Sequence, residues 1–157
     1  MAAPPPVIRI LVAVVADSTA PTRARVRSGM QHVDSTYDHH RARMDWSVCA
    51  YDDNAEAWRG LSELEQRSVS LVSVINASAD GLREAEQRRA RAVHRKRAVD
   101  AAWALRGRDF WDAVWLTDAD ISFGAFDLTA FLRRRACALG ASGPPLIAQP
   151  VIRQNTQ

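Results

Sequence analysis

Apolar positions in this chain fall into short runs separated by polar, helix-forming stretches. Val7-Ile-Arg-Ile-Leu-Val-Ala-Val-Val15 is a near-continuous β-branched run, the pattern of a strand buried on both faces of a parallel sheet. Asp17-Ser-Thr-Ala-Pro21 supplies turn chemistry, and Pro21 to about Val33 reads as a helix with proline early in its first turn. A polar loop follows. Met44-Asp-Trp-Ser-Val-Cys-Ala-Tyr51 alternates as a second strand and stops at the acidic turn Asp52-Asp53-Asn54. One helical turn carries Trp58, and Ser68-Val-Ser-Leu-Val-Ser-Val-Ile75 is a third strand.

Asp80 stands where it can N-cap a long helix over residues 81–106, with Gly107 as the left-handed residue that ends it. Along that helix Leu82, Ala85, Arg89, Val93, Lys96, Val99 and Trp103 recur every three or four residues. They form one stripe, apolar except at Arg89 and Lys96. Trp111-Asp-Ala-Val-Trp-Leu-Thr117 is a fourth strand running straight into Asp118-Ala-Asp120. Asp127 caps a helix to about Leu139, Gly140-Ala-Ser-Gly-Pro-Pro145 turns the chain, and Leu146-Ile-Ala148 begins a fifth strand. Strands alternating with helices predict βαβ units, and so a Rossmann-like α/β fold: a mostly parallel sheet with flanking helices and right-handed crossovers.

Composition narrows the class. At 157 residues and 17.4 kDa the chain suits one core, here a Pro-rich lead-in over residues 1–6 and a single domain over 7–157. Hydrophobic residues at 47% and charged residues at 25% match globular usage and argue against a disordered or membrane class. The apolar run from Val7 to Ala16 is too short to span a bilayer and contains Arg9. Without a basic start or a cleavage pattern it is no secretion signal either, so the sequence leaves localisation open. Cys49 and Cys137 are the only cysteines; with no CxxC pair, both read as buried thiols.

The net charge of +3 and pI near 9.4 permit an anionic ligand. Among the 21 Lys and Arg residues Lys96 is the only lysine. The run Arg88-Arg-Ala-Arg91 with Arg95 to Arg97 shares its helix with Glu84, Glu86 and Asp100 and has no interleaved aromatics. That pattern is a solvated helix face rather than a nucleic-acid surface. His39-His40 lies in a polar loop without other ligands and reads as solvated. Asn76-Ala-Ser78 is a glycosylation acceptor pattern that matters only in the secretory pathway.

Asp118-Ala-Asp120 is the sharpest chemical feature. Two carboxylates one residue apart follow an apolar strand, at the edge where open α/β sheets place their ligands. In an extended segment they lie on one side, facing one hard cation, Mg²⁺ or Mn²⁺, shared with a diphosphate. The alternative is that one aspartate caps the next turn while the other is solvated.

Several segments in this order resemble the DUF707 family of plants and algae, a domain of unknown function with a glycosyltransferase-like GT-A architecture. They are Tyr51-Asp52 through Trp58, the Lys96 helix, Phe110-Trp-Asp-Ala-Val-Trp-Leu-Thr-Asp-Ala-Asp-Ile121, Phe126-Asp-Leu-Thr-Ala-Phe-Leu132, and Ile147-Ala-Gln-Pro150. The resemblance runs from about Val7 to the C-terminus. Family members usually carry an acidic residue between the two aspartates, where this chain has Ala119.

By that resemblance Asp118 and Asp120 are the metal and nucleotide-sugar diphosphate ligands of a GT-A transferase. Lys96 is a further point charge for the phosphates, or a side chain snorkelling from the helix edge. Asp52 is a hydrogen-bond acceptor for the nucleoside, or a turn former. Gln149 lines the sugar or acceptor side, or simply ends its strand before Pro150. A Golgi or secretory location follows from the resemblance if the full gene carries an anchor.

Little chain follows Asp120, and Asp127 is its only acidic residue, so no catalytic base is visible there. The expectation is a donor-binding half, truncated at its C-terminus, with an unknown acceptor. Two other classes compete: a noncatalytic α/β module binding a nucleotide or a partner, and a haloacid-dehalogenase-type phosphatase. The latter family opens its domain with the D-x-D motif, whereas four strands are nearly complete before it here.

Overall fold

The computed structural model describes residues 7–36, 42–52, 54–61, 69–76, 91–121, 123, 127 and 129–131. The chain divides into two compact units, Met1–Gly124 and Ala125–Gln157. The first is a Rossmann-like α/β domain with one sheet of four parallel strands in the order β3-β2-β1-β4. These are β1 (Ile8–Ala16), β2 (Ala42–Ala50), β3 (Val69–Asn76) and β4 (Ala113–Asp118). Helix α1 (Ala20–Thr36) joins β1 to β2, and α2 (Arg91–Arg106) precedes β4. A 3-10 helix, Ala55–Leu61, follows β2.

β1 pairs with β2 on one side and β4 on the other. A central strand covered on both faces must be apolar at every position, and Ile10 through Ala16 are all buried. The helices lie on opposite faces. Leu11, Ala13 and Cys49 pack with Ala98, Val99 and Ala102 of α2. The alternate positions Val12, Trp46 and Trp115 stand in register on the other face, where Phe123 meets both tryptophan rings edge-on at 5.4 Å. Gly29 of α1 lets that ring approach: a Cβ there would stand 2.8 Å from Phe123 Cδ2. Glycine's lack of a side chain thus fixes how close α1 comes to the sheet.

The buried stripe of α2 departs from the expected one. His94, Ala98, Val99 and Ala102 are buried, whereas Val93 is 50% exposed and Lys96 lies on the exposed side. Small residues let a helix lie close on a sheet, so Ala98 and Ala102 take the line of contact. The Ala98 carbonyl accepts the buried Ser47 hydroxyl at 2.6 Å, and Ser47 also bonds Ser73 of β3. Gly107 ends α2 with φ 86° and ψ 156°, a left-handed φ as expected but an extended ψ. Residues 77–90, with Asp80 and the first part of the expected helix, lie outside the described residues. So do His39, His40, Cys137, Gln149 and the fifth strand. In the second unit Asp127 caps a helical start, its Oδ1 accepting the Ala130 amide at 2.8 Å.

At the amino edge of the sheet polar groups tie the strands together. Asp112 Oδ2 accepts the Arg9 amide at 2.7 Å, and the Asp112 amide donates to the Arg9 carbonyl at 2.8 Å. Asp45 takes Trp111 Nε1–H at 2.8 Å on one oxygen and the Ser70 hydroxyl at 2.6 Å on the other. The Arg9 guanidinium sits 4.5 Å over the Phe110 ring, with Arg106 at 5.4 Å, within cation–π range.

Candidate functional site at the carboxyl edge

In the order β3-β2-β1-β4 the connections depart in opposite directions from β1, so the crevice beyond the carboxyl ends of β1 and β4 is the topological switch point where open α/β sheets bind ligands. A polar depression of about 130 Å³ lies there, lined among others by Asp17, Thr22, Arg25, Tyr51, Asp118 and Asp120. Four elements contribute: Asp17 follows β1, Thr22 and Arg25 come from the first turns of α1, Tyr51 follows β2, and the aspartate pair ends β4.

The aspartate pair is not extended as its spacing suggested. Asp118 closes β4, and its carbonyl accepts the Ile121 amide at 3.3 Å, so Ala119 and Asp120 occupy a β-turn. A strand has to turn where its ladder ends, so the alternation that would put both carboxylates on one side is lost. The two aspartates still border the same depression. Asp118 Oδ1 is paired with Arg95 of α2 at 2.5 Å. Asp120 is exposed.

Around them the loops are firmly held. Asp17 accepts the Thr19 hydroxyl at 2.5 Å, the Thr19 amide at 3.0 Å and the Tyr51 hydroxyl at 3.0 Å. Burial raises the Asp17 pKa, but hydrogen bonds from the Thr19 and Thr22 side chains, the Thr19 amide and Tyr51 outweigh it and hold the carboxyl below its ordinary value. Asp52 clamps the loop after β1: its Oδ2 accepts the Ser18 amide at 2.7 Å and its Oδ1 lies 2.9 Å from the Ser18 hydroxyl. That hydroxyl in turn accepts Nε1–H of the buried Trp58 at 2.9 Å.

Of the residues singled out in the sequence, the structure brings Asp118 and Asp120 to the depression, with Asp52 engaged just behind it on Ser18. Lys96 is elsewhere, its Nζ 2.5 Å from Asp100 on the exposed side of α2. Gln149 lies outside the described residues. The basic run is not uniformly solvated either, because Arg95 is partly buried against Asp118. Arg95, Arg25, Asp17, Thr22 and Tyr51 were not anticipated. Position immediately after β1, or in the first turns of the following helix, is the signal that finds all but Arg95 and Tyr51.

A larger cavity of about 280 Å³ lies between the 3-10 helix and β3. Its charged lining residues, Glu56 and Arg59, pair with each other at 2.6 Å, so the chemistry concentrates at the carboxyl edge. Oxygen donors there suit a hard cation. Among the described residues no group of three or more His, Cys, Asp or Glu is placed to hold a metal ion.

The chain is thus a Rossmann-like α/β domain with a polar depression at its switch point. No family model matches the chain, and no curated protein or solved structure matches it. Among the described residues no helix is long and apolar enough to cross a membrane.

Proposed function

We propose that the chain binds a nucleotide-sugar donor through a divalent cation, as the donor-binding part of a glycosyltransferase-like protein. The observation that supports this most is the meeting of Asp118 and Asp120 with Thr22, Arg25 and Tyr51 around one polar depression at the β1/β4 switch point. Sugar transfer from a nucleoside diphosphate requires the departing diphosphate to be neutralised, which Mg²⁺ or Mn²⁺ supplies as a Lewis acid. Asp118 and Asp120 would hold the cation, and Arg25 offers the phosphates a guanidinium. Asp52 serves the site through Ser18, fixing the loop between β1 and α1. Sites that enclose a whole ligand span roughly 300–1,000 Å³, so the depression corresponds to the cation and phosphate part of such a site. A Golgi or secretory location belongs to the same reading if the full gene carries an anchor.

The test is binding of a UDP- or GDP-sugar to the purified chain by calorimetry, with Mn²⁺ and with chelator. Binding that needs the cation and weakens at least tenfold in Asp118→Asn and in Asp120→Asn is expected, roughly the loss of one charge-assisted ligand. Unchanged binding in both variants would remove the aspartates from the site. A folded chain that binds no nucleotide would instead be a noncatalytic module that recognises a partner.

A further inference from the structure

We infer that Asn76 is an acceptor for N-linked glycosylation, a modification site formed where the end of β3 meets the 3-10 helix. The inference rests on the secretory part of the proposed reading and is independent of the crevice. The sequence has three asparagines. Asn54 and Asn155 lack a hydroxyl residue two positions on, whereas Asn76-Ala-Ser78 has one, with no proline between. Such a pattern by itself is a weak signal, because three residues meet this way by chance in many chains. The setting of Asn76 in the fold supplies a second observation.

Asn76 closes β3 and is exposed. Its Oδ1 accepts the Ala55 amide at 2.8 Å, and because a backbone N–H only donates, the carboxamide must turn its oxygen and not its nitrogen to the 3-10 helix. Nδ2 is the end left outside, with no hydrogen bond among the described residues. That nitrogen is the atom that receives the sugar. In the transfer Nδ2 forms a bond to C1 of an oligosaccharide carried on a lipid diphosphate, the bond from C1 to the diphosphate breaks and leaves with its electron pair, and Nδ2 gives up one proton. Nothing is oxidised or reduced. The product keeps Oδ1, and so keeps the Ala55 bond, at the cost of one N–H that bonds nothing here. Asn76 stands level with Ala50 at the carboxyl end of β2 and is not among the residues lining the polar depression. A bulky, hydrated glycan therefore fits at the outer end of this edge without filling the depression.

The full chain behind a cleavable signal peptide, translated with endoplasmic-reticulum microsomes, tests the acceptor wherever the natural protein resides. The protease-protected chain is expected to show one upward step in apparent mass that N-glycosidase removes. The step should be absent from Asn76→Asp and from Ser78→Ala, and Ser78→Thr should keep it. Asn76→Asp retains an oxygen for the Ala55 amide and Ser78→Ala leaves Asn76 untouched, so misfolding does not account for a glycan missing from both. A protected wild-type chain that stays unmodified overturns the inference, as does a mass step that survives Asn76→Asp. In urea the glycosylated chain should unfold at a midpoint no lower than that of the same chain after N-glycosidase treatment. A lower midpoint, from a sugar that displaces the Ala55 bond, overturns the site as built. Glycosylated Asn76 in a chain that binds no UDP- or GDP-sugar would leave the acceptor standing and remove the donor-binding reading; nucleotide binding by a chain that is never glycosylated would do the reverse.

Discussion

The two edges of the sheet use polar residues in opposite ways. At the amino edge Asp112, Asp45, Arg9 and Trp111 bond one another across β1, β2 and the approach to β4, and the guanidinium of Arg9 lies on Phe110. Those groups knit strands together. At the carboxyl edge Asp17 and Asp52 hold loops in the same manner, yet Asp118, Asp120 and Arg25 border a depression. The comparison separates charges tied to donors of neighbouring strands from charges that border a depression, where Asp118 is paired with Arg95 of α2 and Asp120 is exposed.

Breaking the amino edge should have the largest effect on stability. Trp111 is buried, and Trp111→Ala leaves a cavity and removes a donor from Asp45, so unfolding in urea should show a loss of about 3–5 kcal/mol. Ligand affinity per folded molecule should stay near wild type, and a specific loss of nucleotide binding would contradict the division between edges. Asp52→Ala, at the carboxyl edge, strands the Ser18 amide and should cost about 1–3 kcal/mol in the same assay. A variant as stable as wild type would show that Asp52 is not a clamp.

Gly29→Ala sharpens the comparison from beneath the sheet. The added methyl meets the Phe123 ring, which two tryptophans hold in place. Overpacking of about 1–3 kcal/mol exceeds the gain in helix propensity of about 1 kcal/mol. A net loss of roughly 1 kcal/mol in thermal or urea unfolding is expected, and a more stable variant would mean that the ring yields freely.

The smallest effect concerns pH. The Asp17 carboxyl titrates below its ordinary value when folded, so its contribution to stability is present above the unfolded pKa and disappears as pH falls through the folded one. Asp17→Asn should therefore be less stable than wild type at neutral pH and approach it in acid. A difference that persists unchanged at the acid end would assign the effect to lost packing.

Much of the architecture was legible because burial leaves a strong mark on composition. β1 had to be apolar at nearly every position, since helices cover both its faces, and its bounds differ from the expected ones by a single residue at each end. Helix α1 runs three residues beyond the expected end, because nothing at Val33 stops it and the hydroxyls of Ser35 and Thr36 turn back onto the His32 carbonyl. The stripe of α2 was misplaced for a related reason. Large apolar residues such as Val93 dominate a periodicity count, while the sheet selected the small Ala98 and Ala102 for close approach.

The site divides along the same line. The sequence by itself determined that two carboxylates follow an apolar strand, and hence that they lie at the carboxyl edge of a parallel sheet. Only the tertiary structure decided that the pair sits in a turn, that Lys96 faces Asp100, and that Arg95 reaches Asp118. Strand and helix signals come from neighbours within a few residues. The side chains that meet at a switch point come from loops far apart in the chain, and their meeting depends on strand order and helix rotation, which no local pattern encodes.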